Sequence, residues 1–245
     1  MPFSPLSEAV VLFSVPAVFW HMLMIQTAGK VPIRQLVIVG AIMLAWTMYA
    51  YAAVRYGLDD VIFRGLPVGP LVYLALAAGL TWLFRERLLG DGVPQQLLIA
   101  LQLFRPIGLV FVLEDARGIL PSVFAQPAGW GDLVAGLVAL AVLIRYPTGR
   151  IPARAVVLIA VVGLTDFASA FFFGFTSSAT PVQLFAFDNP NRVIEYPLGL
   201  IPVLLVPYAV MAHLLSLAQL VRDRRAAMAP QDRPLTTRPK PASAA

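Results

Sequence analysis

Cysteine is absent from all 245 residues, which excludes disulfides, thiolate metal sites and a cysteine nucleophile. Lysine occurs only as Lys30 and Lys240, both outside the apolar segments, so there is no intramembrane lysine to form a Schiff base. Charge of either sign is scarce: 13% of residues are charged, against roughly 25% in an ordinary soluble domain. A glycine-rich phosphate loop, a GxSxG nucleophile elbow and an HExxH metal helix are also missing, and nothing reads as a nucleic-acid motif. No catalytic residue, cofactor or metal is therefore expected.

Apolar surface is what the sequence has in excess. Hydrophobic residues make up 59% of the chain, more than a soluble fold of this size can hide, so lipid must be the solvent. They cluster into runs of about 18–24 residues, the length a helix needs to cross roughly 30 Å of hydrocarbon. Alternating strands of about ten residues, the mark of a β-barrel, are absent. The expected fold is all-α: a polytopic transmembrane helical bundle of about seven spans within 1–221. The spans are expected at about 8–28, 35–56, 67–84, 95–116, 131–147, 154–176 and 195–220, separated by charged or turn-forming residues. The first run has no basic residue before it and no small-residue cleavage site after it, so it reads as a retained span rather than a signal peptide. Beyond Val221 the chain turns to Arg, Asp, Pro, Ala and Ser, and 222–245 is expected to be a disordered basic tail.

The positive-inside rule orients the bundle. With the N-terminus outside and the C-terminus in the cytoplasm, Lys30, Arg34, Arg85, Arg87, Arg145, Arg150, Arg154 and the basic tail face inward, and only Arg55, Arg64, Arg117 and Arg192 face outward. The net charge of +5 then describes a basic cytoplasmic face suited to anionic lipid headgroups rather than nucleic acid. Glu8, Asp59, Asp60, Glu114, Asp115, Asp132, Asp188 and Glu195 fall on the outer side, as a mildly acidic vestibule or simply as solvated loop ends. Two long outer loops are expected at 118–130 and 177–194, with Trp130, Phe185 and Phe187 as interfacial anchors.

An ionisable residue at mid-membrane depth is a functional candidate by default, because it costs at least about 2.5 kcal/mol to place it there. Arg105 in span four and Asp166 in span six lie at matching depth with opposite charge. Gln102 shares a face with Arg105, and Gly163, Asp166, Ala170 and Gly174 form a small-residue stripe suited to close helix approach. The pair is either a structural pin between two spans or a site that releases one partner to bind a proton, ion or substrate. Asp132 and Glu195 are supporting polar candidates. His21 and His213, the only histidines, fall at one depth in the first and last spans, where they are separate hydrogen-bonded residues or a pair holding a proton, metal or haem. Pro197, Pro202 and Pro207 break span seven, and the latter two free the carbonyls of Leu198 and Val203.

Gln102-Leu103-Phe104-Arg105, Leu120-Pro121 through Phe124, Pro127-Ala128-Gly129-Trp130-Gly131-Asp132, Leu205-Val206-Pro207, His213 and Ser216-Leu217 resemble a pattern in uncharacterised bacterial multi-pass membrane proteins. The resemblance implies a bacterial cytoplasmic (inner) membrane and carries no activity. The expected function is small-molecule or ion binding and transport through an intramembrane polar cavity between spans four, six and seven. A non-catalytic accessory or scaffold subunit, and a haem- or metal-binding redox protein, are the alternatives.

Overall fold

The computed structural model of the protein describes residues 1–57, 69–90 and 92–228. Asp59, Asp60, Arg64 and the tail beyond Met228 lie outside the described residues. Within them every element is helical: α1 (Pro5–Ala28), α2 (Ile33–Tyr56), α3 (Gly69–Leu89), α4 (Gln95–Ala100), a 3₁₀ segment (Leu101–Gly108), α5 (Leu109–Ala116), α6 (Ser122–Arg145), α7 (Ala153–Ser177), a π-helical turn (Ile201–Leu205) and α8 (Val206–Met228). Among the described residues six helices are long and apolar enough to cross a membrane, α4 through α5 counting as one rod. The 21-residue α3 is a seventh long helix, its apolar run ending in Arg85-Glu86-Arg87.

Proline marks the boundaries. Helices α2, α4, α6 and α7 each begin directly after one, at Pro32, Pro94, Pro121 and Pro152. A residue with fixed φ and no N–H fits where the first-turn donors have no intrahelical partner. α1 starts instead with a side-chain cap: Ser4 accepts from the Ser7 N–H, with Pro5 at the first helical position. α2 stops at Gly57, whose φ of 66° is the left-handed cap that a Cβ would oppose.

Two of the expected spans need correction. Span five begins at Ser122 rather than 131, so most of the expected outer loop 118–130 is helix, and Trp130 lies on α6, donating to Gln126 Oε1 at 2.9 Å. Span seven begins at 201 rather than 195; residues 195–200 are mainly turns. Leu198 O, expected to be freed by Pro202, accepts from the Ile201 N–H at 2.9 Å. At the other end α8 continues through Met228, into the stretch expected to be tail.

α8 is the most buried of the six helices and α1 and α2 are the most exposed, so the core is built around α8. α6 packs on the 3₁₀ segment and on α7, and α3 packs on α8. The connections gather at two ends. At one, Arg222 Nη1 donates to Gly90 O at 2.9 Å, Gln96 Nε2 to Gly149 O at 2.7 Å and Gln26 Nε2 to Leu88 O at 3.0 Å. At the other, Ser4 N donates to Glu114 Oε1 at 2.9 Å, Arg192 Nη1 to Met1 O at 3.3 Å, and the Arg55 guanidinium lies 5.2 Å from the Tyr196 ring centroid.

Candidate functional site

The site starts from one proline. Pro106 has no N–H to offer the Gln102 carbonyl, and the rod from Gln95 to Ala116 winds as a 3₁₀ helix through this stretch. At about three residues per turn, side chains three apart eclipse one another. Gln102, Arg105 and Gly108 therefore stack on one face, and all three are buried. The Gln102 amide donates to Ala209 O of α8 at 3.1 Å, tying that face to the core helix.

Arg105 is 1% exposed and holds three elements together. Its Nε donates to Asp132 Oδ1 of α6 at 2.8 Å, its Nη1 to Gly163 O of α7 at 3.2 Å, and its Nη2 to Asp166 Oδ2 of α7. The Phe167 ring covers the guanidinium face, with its centroid 3.9 Å from Cζ, a cation–π contact in a desolvated position. The structure thus brings Arg105 and Asp166 together and adds Asp132, which the sequence had suggested for the outer face. Because α6 starts early, Asp132 falls in mid-helix and is buried.

Three glycines make room for this cluster. A Cβ at Gly131 would overlap the Asp166 carboxylate, one at Gly108 would overlap Asp132, and one at Gly163 would meet the His213 ring and lie 2.7 Å from Arg105 Nη1. The small-residue stripe on α7 accordingly splits in two. Gly163 serves the close approach of α8, whereas Asp166, Ala170 and Gly174 line a cavity.

That cavity has a volume of about 320 Å³, at the lower end of the roughly 300–1,000 Å³ usual for small-molecule sites. Asp132 and Asp166 form its charged end. Phe111, Phe124, Phe167, Phe171 and Phe175 contribute to its walls, and its other end is formed by the connection after α7, including Thr180 and Asn191. Ile201, Pro202 and Val206 of the π-helical turn close one side. Arg105 lies behind the aspartates and does not line the cavity.

The other candidates lie elsewhere. Glu195 is not in the site; it forms a bidentate pair with Arg192 at the molecular end, 2.7 Å from Nε and 2.5 Å from Nη2. That bond raises the Arg192 pKa above its ordinary value. His21 Nε2 is 2.8 Å from Leu97 O, whereas His213 packs edge-on to Phe167, 6.4 Å between centroids, so the two histidines have separate surroundings. His213 Nε2 and Gln102 Oε1 are buried without a hydrogen-bond partner. Among the described residues no three potential His, Cys, Asp or Glu ligands converge on a metal position. Glu114, expected at a solvated loop end, is instead fully buried and accepts from Ser4 N, from Ser7 Oγ at 2.5 Å and from Arg117 Nη1 at 2.6 Å. It anchors the start of α1 to α5 and takes no part in the cavity.

The model of one family, described as a domain of unknown function (DUF8737), matches residues 63–221. This stretch holds the Arg105 cluster and the cavity lining and omits α1 and α2. The chain belongs to that family. No curated protein and no solved structure matches it.

Proposed function

We propose that this member of the family is a seven-span protein of a bacterial cytoplasmic membrane, N-terminus outside, which binds and transports a small molecule or ion through the cavity ending at Asp132 and Asp166. The observation that carries the reading is that cavity: a largely apolar space whose charged end is held in shape by a buried arginine. Burial of a charged cluster costs several kcal/mol per ion unless each member is paired, and apolar side chains would serve a purely structural role at less cost. The irregular backbone beside the cavity supports the reading as well. Non-helical winding at membrane depth survives where it is packed in protein or lines a cavity, and here both the 3₁₀ segment and the π-helical turn adjoin the site.

The orientation is supported by charge. The end where Gly90, Gly149 and Arg222 meet also carries Lys30, Arg34, Arg87 and Arg154 in or beside its connections, the arrangement expected of a cytoplasmic face. The cavity would then open toward the outer side.

The lack of cysteine makes the test direct. Single substitutions Ala170→Cys and Ala179→Cys place a thiol along the cavity lining, and Ala160→Cys places one on α7 in the packed core. In intact cells a small membrane-impermeant thiosulfonate reagent should modify the first two and leave the third. Protection of Ala170→Cys, or equal modification of Ala160→Cys, would contradict a cavity reached from outside.

A further inference from the structure

We infer that the cavity selects a small organic monocation, an amine or ammonium group on an apolar or aromatic body, and excludes anions. This names the ligand class of the site proposed above and rests on that reading. The first observation is charge. One guanidinium faces two carboxylates, and with all three ionised the cluster carries a net charge of −1. The cavity meets the acidic side of this cluster, because Asp132 and Asp166 line it and Arg105 does not.

The second observation is valence. Arg105 takes only Asp132 Oδ1 and Asp166 Oδ2. The other oxygens, Asp132 Oδ2 beside Gly108 and Asp166 Oδ1 beside Gly131, accept no hydrogen bond among the described residues, yet neither is fully buried, so each keeps some accessible surface at the cavity. An accessible carboxylate oxygen in an apolar cavity is an acceptor with open lone pairs, and an N–H-bearing cation supplies both the donors and the missing positive charge.

An anion has no such reception. The guanidinium is occupied on three nitrogens, capped on one face by Phe167 and held against Gly163. Among the described residues no Lys, Arg or His lines the cavity. The walls define the rest of the ligand: aromatic rings stabilise a nearby cation by cation–π attraction and bury an apolar body. Bare Na⁺ would gain the carboxylates but would leave most of the cavity unfilled, and a hydrated ion would not match walls of this composition.

The experiment uses the full-length Ala170→Cys protein in zwitterionic nanodiscs. Modification rates are measured with a cationic and an anionic thiosulfonate of similar size, and again in the presence of aromatic and alkyl amines, each paired with the alcohol of the same skeleton. The cationic reagent should react at least about tenfold faster than the anionic one, and Asp132→Asn should abolish most of that preference, since it leaves a neutral Arg105–Asp166 pair. Amines should slow modification at concentrations about tenfold lower than their alcohols. The second comparison needs no substitution in the cluster, so it stands if Asp132→Asn does not fold. Equal rates for the two reagents with no advantage for amines would overturn the inference while leaving the cavity reading intact. Failure of both reagents to modify Ala170→Cys would overturn both.

Discussion

Neutralising members of the Arg105 cluster one at a time should give sharply unequal losses of stability. The Arg105 side chain is completely buried, and the side chains of Asp132 and Asp166 are 10% and 8% exposed. In Arg105→Gln two carboxylates lose their only cation. Breaking a buried pair in this way typically costs about 3–5 kcal/mol, which at about 2–4 °C per kcal/mol for a chain of this size lowers the melting temperature by roughly 6–20 °C. Asp166→Asn is different. Arg105 keeps Asp132 as its counter-ion, the asparagine oxygen still accepts a hydrogen bond, and the loss should be about 1–2 kcal/mol. Asp132→Asn should behave alike. The double change Arg105→Gln with Asp166→Asn should recover only part of the arginine loss, because Asp132 remains unpaired. Adding Asp132→Asn should recover most of the remainder, since three neutral amides can bond one another. Melting curves in detergent for these five variants complete the comparison. Full recovery in the double variant would show that Asp132 does not share the arginine, and equal damage from Asp166→Asn and Arg105→Gln would refute the argument from charge count.

Gly131→Ala and Gly163→Ala should each destabilise the protein in the same assay, because the added methyl collides with Asp166 or His213; Gly79→Ala, which meets nothing within 4 Å, should be neutral or up to about 1 kcal/mol stabilising. Changing both His21 and His213 to Gln should leave the absorption spectrum and metal content of the purified protein unaltered, and a stoichiometric cofactor lost on substitution would refute their separate roles. Topology reporters fused after Arg34, Arg87, Arg150 and Arg222 should read as cytoplasmic, and those near Gly118 and Asn189 as external; one misplaced reporter breaks the seven-span order.

The helical class and most helix positions could be read from hydropathy, since bilayer thickness imposes a length that a run of apolar residues either meets or misses. The same criterion held the clue to the main error. Residues 131–147 form a run shorter than the roughly 20 residues a span requires, and extending it back to Pro121 gives the 24-residue α6. Pro127, Gly129 and Gly131 read as loop residues by composition. In the structure they are helical, and glycine at 129 serves close packing: α6 lies so close to the 3₁₀ segment that a Cβ there would lie 2.9 Å from Gly108 O. That close approach is a tertiary fact, and it places Asp132 beside Arg105. The 3₁₀ winding had a local signal in Pro106, but the stacking of Gln102, Arg105 and Gly108 depends on the pitch the backbone adopts around it. Matching depth and opposite charge were enough to link Arg105 with Asp166. The cavity in front of them was not readable, because it is bounded by five separated stretches of chain whose packing no single segment encodes.

The most direct measurement is an experimental density map of the full chain in lipid nanodiscs, at a resolution that resolves side chains. In that map Arg105 should be clamped between Asp132 and Asp166 beneath the Phe167 ring, with the two aspartates, and not the guanidinium, bounding an open space that reaches the connection after α7. A map in which the guanidinium lines that space, or in which Asp132 faces away from Arg105, would contradict it.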